Sequence, residues 1–405
     1  MAEASATLRS FREIMGEDAT PAMSPEDKLC LLLARGRLSP ELQTRILDYL
    51  ASPLQWPMVL ERAYAHQVYP LLYRNLRLLG FPGVPPAVQT ELKSAYLANA
   101  LRNQLFAEEL ARLLKLLGEA GIPVIPLKGV TLAQSLYGDP AARVCSDIDI
   151  LVPPADAVQA RRVILANGYS SQFTEEFFVK HQLHTSADCP LVSEKRVLTY
   201  LVEVHWTLLQ DSSKDREAME QLWSQARPAD FFGCRAYDLT PEWQFLYLSF
   251  HAAYHKWSIL KWLADIHELC VSSTVDWNEV KEKAGRFEFD TVTEPTLAAC
   301  SSLFGTPIPA EIPCLPCPED IRLFPDSLAE SWRVPLFYPR LLKRRSEKLR
   351  WWAQTLFVAR MADHRFVSLP ASLNFFYYVL RPLRLICKWS WRFLRAGAAR
   401  LVDRG

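Results

Sequence analysis

Several features that would mark this chain of 405 residues as a membrane-spanning or low-complexity protein are missing from it. No apolar run reaches the ~20 residues that a bilayer-spanning helix needs, and the best candidate, residues 373–380, is closed by Arg381 and Pro382. The chain contains no internal repeat and no low-complexity tract. Glycine is scarce, at 14 residues, whereas half of the chain is hydrophobic and tryptophan occurs 12 times. This composition indicates a globular, helix-rich protein.

Paired cysteine motifs are also lacking. The nine cysteines are scattered, and the one Cys-x-x-C, residues 314–317, has no second pair or nearby histidine and is surrounded by prolines. We therefore interpret it as a loop and not as a zinc site. Residues 1–4 are neither basic nor followed by an apolar run, so we expect no secretory signal. Reduced thiols in the cytoplasm are the simplest interpretation of this cysteine usage.

The chain has little net charge, +1, but the charge is unevenly distributed. Residues 331–405 contain 16 Lys and Arg against 3 Asp and Glu, and residues 1–330 contain 30 against 42. The acidic balance of residues 1–330 argues against extended nucleic-acid binding by the core. The basic, aromatic C-terminal region predicts either docking onto the acidic body or binding of residues 340–404 to an anionic membrane surface. The second possibility would make the protein peripheral to the inner membrane.

The most informative stretch is Asp147-Ile148-Asp149-Ile150, which continues into a buried-looking strand. In a strand Asp147 and Asp149 share one face and the two isoleucines share the other. Two adjacent carboxylates repel each other and are costly to hold together unless a cation lies between them. A hard divalent ion such as Mg²⁺, or Mn²⁺, suits such a pair and takes substrate phosphates as further ligands.

Two further segments support a metal–phosphate site. Upstream, residues 121–129 predict a strand and a tight turn at Lys128-Gly129, followed by a helix. Glycine lets the backbone approach a phosphate closely, and a helix N-terminus offers free N–H groups to an anion. Downstream, residues 201–206 alternate as a strand, so that Glu203 and His205 share one face. Asp147, Asp149 and Glu203 are therefore expected to form one cluster of three carboxylates across neighbouring strands.

This order of segments resembles the DNA polymerase β-type nucleotidyltransferase superfamily, and most closely a family of bacterial proteins described as uncharacterised nucleotidyltransferases. The motifs that carry the resemblance are Leu127-Lys128-Gly129, Tyr137-Gly138-Asp139-Pro140, Arg143, Asp147-Ile148-Asp149 and Glu203-Val204-His205-Trp206. The resemblance extends from about residue 55 to about residue 385. One departure from the superfamily is the Lys-Gly turn, where Gly-Gly or Gly-Ser is familiar and the serine helps to hold the nucleotide phosphates.

The resemblance implies transfer of a nucleoside monophosphate from an NTP to an acceptor (a protein, a sugar or a small molecule) that the sequence does not identify. Asp147, Asp149 and Glu203 would hold two metal ions. Lys128, the amide of Gly129 and the side chain of Arg143 would bind the nucleotide phosphates. The competing interpretation is a nucleotidyltransferase fold without catalysis, used as a binding module. A third makes the protein a membrane-surface factor in polysaccharide or peptide biosynthesis, which is compatible with catalysis.

Several of these side chains have a structural interpretation beside the functional one. Lys128 and Arg143 could each form a salt bridge with a carboxylate of the cluster. Gly129 is first a conformational requirement of the turn. His205 shares the acidic face, where it could contact substrate or an acid, or make only a structural hydrogen bond.

Three residues downstream are candidates for the substrate side of the site. His251 and His255 lie four residues apart and so share a helix face. The resemblance implies that this helix lines the cleft opposite the catalytic sheet. Asp265 is a candidate general base, although a helix cap or an ion pair with Lys256 or Lys261 is the simpler role.

The expected fold class is α/β, with a polymerase-β-like core of a mixed sheet and flanking helices, between N-terminal and C-terminal helical regions. We expect a mobile segment at residues 1–25, a helical region at 26–105, a nucleotidyltransferase core at 106–235, a helical domain at 236–330 and the basic aromatic region at 331–405.

Within these regions we predict a long helix at 87–120, a second at 154–166, and strands near 123–127, 147–152 and 199–206. The register between residues 170 and 197 cannot be derived from the pattern, although a central antiparallel pair is expected there.

Overall fold

The computed structural model describes residues 23–195, 198–208, 215–313, 345–357, 363, 366–367, 373 and 376–387. Nearly all of the segment predicted to be mobile, residues 1–25, lies outside the described residues. The Cys-x-x-C at residues 314–317 and much of the basic C-terminal region also lie outside them.

In the described part of the chain, five helices precede the sheet. They are α1 (Pro25–Leu33), α2 (Pro40–Leu50), α3 (Trp56–Ala65), α4 (Tyr69–Leu78) and α5 (Pro86–Glu119). The first two begin at serine caps followed by proline: the Ser24 hydroxyl accepts from the Asp27 amide, and the Ser39 hydroxyl accepts from the Leu42 amide. These bonds satisfy amides that a helix leaves without partners, and proline suits the first turn because its missing N–H is not needed there. The long α5 agrees with the helix predicted at 87–120.

A four-stranded mixed sheet forms the centre of the protein and confirms the predicted α/β class. Its strands are β1 (Ile125–Pro126), β2 (Ile148–Leu151), β3 (Asp188–Glu194) and β4 (Thr199–His205), in the order β1-β2-β4-β3. Strands β2 and β4 are parallel, whereas β1 pairs with β2 and β3 pairs with β4 in the antiparallel sense. Strand β3 falls in the region of unclear register and pairs with β4 in the antiparallel sense, but at the edge of the sheet and not at its centre as expected.

The helices around the sheet complete the core. Helix α6 (Val130–Tyr137) connects β1 to β2, and α7 (Ala157–Ala166) follows β2 after a short 3₁₀ turn, as the helix predicted at 154–166 requires. One face of the sheet packs against α5 and α7 through alternate residues of the parallel strands, because side chains two apart share a face. These residues are Ile148, Ile150, Val202 and Val204.

The second half of the protein is a hairpin and a helical block. The elements are α8 (Asp215–Gln225), β5 (Arg227–Phe231), β6 (Cys234–Asp238), α9 (Pro241–Tyr254), α10 (Leu260–Ser272), α11 (Trp277–Phe287), α12 (Asp290–Phe304) and α13 (Arg345–Phe357). The expected boundary of the core at residue 235 falls within β6. Among the described residues, no helix is both long and apolar enough to cross a membrane.

Helix α9 joins this block to the sheet. It begins where the Thr240 hydroxyl accepts from the Trp243 amide, with Pro241 in its first turn, both of which favour a helix start. The amide of the Gln244 side chain donates to the Leu127 carbonyl over 3.3 Å. Because this contact lies beside the Lys-Gly turn, it brings the next turns of α9 to the acidic face of the sheet.

Candidate active site

The Lys-Gly turn depends on glycine. Gly129 has φ 85° and ψ −131° and caps helix α6, a conformation that a side chain makes very unfavourable. The turn is held on both sides, because the Leu127 amide donates to the Asp149 carbonyl over 3.0 Å and the Thr131 hydroxyl donates to the Lys128 carbonyl over 3.3 Å. The N-terminal amides of α6 therefore lie next to the strand that carries Asp149.

The carboxylates that the sequence places on one face are brought together. Asp149 lies directly opposite Glu203 in the parallel pair of β2 and β4. Asp149 is 1% exposed, whereas the side chains of Asp147 and Glu203 keep 23% and 29% of their surface. The group thus has a buried centre and two members that reach solvent.

Lys128 lies between the two aspartates. Its Nζ is 3.1 Å from Asp149 Oδ2 and 3.3 Å from Asp147 Oδ2, and its side chain is 9% exposed. Burial disfavours the charged lysine, but the nearby carboxylates outweigh this effect and hold the pKa of Lys128 above its ordinary value. The salt bridge to the cluster is the structural alternative that the sequence left open for this residue.

His205 occupies the other side of Asp149. Its Nε2 lies 3.2 Å from Asp149 Oδ1 and 3.8 Å from Glu203 Oε2. Burial alone would lower the pKa of His205, yet the hydrogen bond to Asp149 and the nearby Glu203 carboxylate raise it to about 10. The same contacts and Lys128 keep the pKa of Asp149 low despite its burial. Without a metal, the imidazole is therefore a charged donor at neutral pH.

The donor set suits a divalent ion. One ligand atom from each of Asp149, Glu203 and His205 can be chosen so that all lie within 4.8 Å of one another. Carboxylate oxygens are the ligands that Mg²⁺ and Mn²⁺ prefer, and imidazole also accommodates Mn²⁺ once it loses its proton. Asp147, which the sequence places with Asp149 and Glu203, lies instead on the Lys128 side.

The sequence missed two nearby residues. Asp188 in β3 lies opposite His205, and its carboxyl interacts with the charges of His205 and Asp149. Burial raises the pKa of Asp188. Tyr247 in α9 is 4% exposed, and its hydroxyl has no hydrogen-bond partner in the described part of the chain. Burial, followed by the charges of Asp149 and its neighbours, raises the pKa of Tyr247 well above its ordinary value. Because Tyr247 lies in an apolar helix, the sequence does not distinguish a tyrosine of the site from one that only packs in the core.

The predicted histidines lie on the same helix face as Tyr247. The ring centroids of Tyr247 and His251 are 6.1 Å apart, and those of His251 and His255 are 4.9 Å apart. Trp262 from α10 packs on both imidazoles. Burial and then the charge of Lys128 lower the pKa of His251 well below its ordinary value and that of His255 to about 4. These uncharged rings are close enough to Lys128 for its charge to lower the pKa values of both histidines.

Arg143 and Asp265 pair with each other. Arg143 Nε lies 2.9 Å from Asp265 Oδ2, and both side chains are almost fully buried. The Tyr137 hydroxyl donates to Asp265 Oδ1 over 2.9 Å. The ion pair expected for Asp265 therefore involves Arg143 and not Lys256 or Lys261, because the two residues meet where α10 packs on the segment before β2. Arg143, for which a salt bridge with the carboxylate cluster was one expectation, therefore pairs with a carboxylate outside that cluster.

The comparison with known families agrees with this geometry. A family model described as "Uncharacterised nucleotidyltransferase" matches residues 52–305, which is more than half of the chain and includes every site residue named above. No curated protein and no solved structure gives a significant match.

Proposed function

Because the chain belongs to the uncharacterised nucleotidyltransferase family, we propose that it transfers a nucleoside monophosphate from an NTP to an acceptor in a reaction that depends on Mg²⁺ or Mn²⁺. The acceptor is a protein, a sugar or a small molecule. The observation that carries this proposal is the pairing of Asp149 with Glu203 at one register position of two parallel strands, beside the Lys-Gly turn. Carboxylates in this arrangement repel each other, and a cation relieves the repulsion.

The residues of the site have distinct roles in this reaction. Asp149 and Glu203 hold the metal, with Asp147 at the solvent side. A bound divalent ion would neutralise developing charge on the reacting phosphate and lower the pKa of the acceptor hydroxyl. Lys128 presents a point charge to the outer phosphates, and the first amides of α6, from Gly129 onward, donate to the same oxygens.

The remaining candidates support this centre from outside it. His205 orients the Asp149 and Glu203 carboxylates through its contacts with both. His251 and His255 face the substrate from α9. Since Arg143 and Asp265 are buried in one ion pair, we assign them the positioning of the Asp147–Asp149 strand and not direct contact with the nucleotide or a general-base role.

A non-catalytic binding module is the second candidate. It is favoured by one observation: Lys128 and His205 already neutralise part of the carboxylate charge, so the cluster can persist as a salt-bridged structure without metal. The two candidates differ in whether nucleotide binding requires the metal.

Calorimetry with a non-transferable NTP analogue, with and without Mg²⁺, tests the proposal. We expect binding that requires the metal and that Asp147→Asn combined with Asp149→Asn abolishes. Asp48→Asn combined with Glu119→Gln removes two exposed charges elsewhere and should leave binding unchanged. Metal-independent binding that survives the first pair of substitutions would refute the site. If binding requires the metal, incubating the protein with cell extract and an NTP labelled at its α-phosphate would identify the acceptor class.

A further inference from the structure

Asp149 faces a different cation position with each of its carboxylate oxygens. Oδ1 faces His205 Nε2 at 3.2 Å, on the side where Glu203 completes the possible metal ligands. Oδ2 faces Lys128 Nζ at 3.1 Å, on the side where Asp147 lies. The site thus has one position lined for a metal and one that an ammonium group already fills.

The ammonium position leaves no room for a metal while Lys128 remains there. A Mg²⁺ ion between the same two aspartates would lie about 2.0–2.1 Å from an oxygen of each. Lys128 Nζ lies 3.1 and 3.3 Å from Asp149 and Asp147 and occupies the space between them.

The lysine is also held in this position. Its backbone is fixed by the hydrogen bond to Thr131, and the preceding residue, Leu127, bonds to both β2 and α9. Its side chain is 9% exposed. Tyr247 offers a second sign of a ligand here, because its buried hydroxyl has no partner in the described region and lies near the same carboxylates. A buried donor without a partner is costly unless a ligand accepts from it.

We propose that Lys128 permanently replaces one of the two metal ions, so that the site binds a single divalent ion on the Glu203 side of Asp149. This inference rests on the proposed function. It differs from the expectation of two ions that the family resemblance gives, and it explains why a lysine stands in the turn: its ammonium neutralises the outer phosphates that a second ion would otherwise bind.

Counting bound Mn²⁺ tests the inference. Free Mn²⁺ is measured by electron paramagnetic resonance in titrations of the full-length protein with one equivalent of a methylene-bridged NTP analogue. We expect one ion per chain in the wild type and two in Lys128→Met, which keeps the length of the side chain but removes its charge. Lys180→Met, which removes an exposed charge that pairs with Glu176, should keep one.

Two ions in the wild type, or one ion in both proteins, would overturn the inference and leave the proposed function intact. The absence of any bound Mn²⁺ in all three proteins would overturn both.

A second pair of variants decides the matter if Lys128→Met does not fold. With one ion on the Glu203 side, Asp149→Asn should lower Mn²⁺ affinity at least 100-fold, whereas Asp147→Asn should lower it less than 10-fold. Equal losses would mean that both aspartates bind the metal, and the inference would be wrong.

Discussion

His267 is a buried histidine whose contacts determine which of its ring nitrogens carries the proton. Its Nε2 lies 3.1 Å from Arg35 Nη1, and its Nδ1 lies 2.8 Å from the Thr306 hydroxyl. Arg35 can only donate, so Nε2 must be the acceptor. The Thr306 hydroxyl donates to the Cys300 carbonyl and is therefore free to accept from Nδ1–H. The ring is neutral, and burial followed by the charge of Arg35 lowers the pKa of His267 to about 3.

This arrangement predicts a specific loss of stability in acid. An unfolded histidine has a pKa of about 6.5, so below that value the unfolded chain binds a proton that folded His267 refuses. The contribution of His267 to the free energy of unfolding is therefore fully present above pH 6.5. It falls by about 1.4 kcal/mol per pH unit below that, until the pH approaches 3. Urea unfolding at several pH values measures this slope.

The comparison variant is His267→Gln, which keeps a donor and an acceptor but does not titrate. Between pH 6.5 and 4 its free energy of unfolding should fall less steeply than that of the wild type. The difference in slope should be about 1.4 kcal/mol per pH unit, which corresponds to one proton. Identical slopes would mean that His267 takes up a proton in the folded state.

At the scale of elements, the turn between β1 and α6 is the place where adding a single Cβ atom should have a large effect. Gly129→Ala adds a Cβ at φ 85°, which should cost about 1–3 kcal/mol in strain. Since the turn carries Lys128, we also expect weaker nucleotide binding. Chemical unfolding and nucleotide titration measure the two effects.

Gly118→Ala is the matched control for this substitution. Gly118 lies in the last turn of α5 without positive φ, and an added Cβ would meet no atom within 4 Å. Alanine there should stabilise the helix by about 0.5–1 kcal/mol. Equal effects of the two substitutions would mean that the conformation of Gly129 is not the reason for the glycine.

Strands and faces near the site could be predicted from the sequence because they follow local rules. A period of two placed Asp147 with Asp149 and Glu203 with His205, and the parallel register then set Asp149 opposite Glu203. Contacts between distant elements could not be predicted in this way. The Arg143–Asp265 pair joins residues 122 positions apart, and Asp188 joins the site only through the register of β3. Neither follows from any local pattern.

At the scale of the whole molecule, part of the basic C-terminal region packs on the main hydrophobic core. Trp351 of α13 is buried in the main hydrophobic core, and Trp352 packs against that core. Arg381 is buried and donates to the Thr355 carbonyl. Because Trp351 and Trp352 pack in or against the core, deleting residues 340–405 would expose it, so a deletion cannot separate folding from membrane binding.

The helix at residues 377–387 offers a sharper test. Val379, Leu383 and Ile386 are 59%, 55% and 57% exposed, and their spacing places them on one helix face. Basic residues follow the helix in the sequence, as in Lys388 and Arg392. An exposed apolar face with flanking positive charge is typical of helices that bind at a membrane interface.

We therefore expect the full chain to co-sediment with vesicles that contain phosphatidylserine. Each basic residue near the surface contributes about 1 kcal/mol at most, so several must act together, and binding should weaken as salt rises. Replacing Val379, Leu383 and Ile386 with serine should abolish co-sedimentation while the melting transition is retained. Leu97→Ser with Leu101→Ser, at positions 55% and 60% exposed on α5, should not affect it. If both sets of variants bind vesicles as the wild type does, the C-terminal charge serves docking onto the acidic body and the membrane interpretation is wrong.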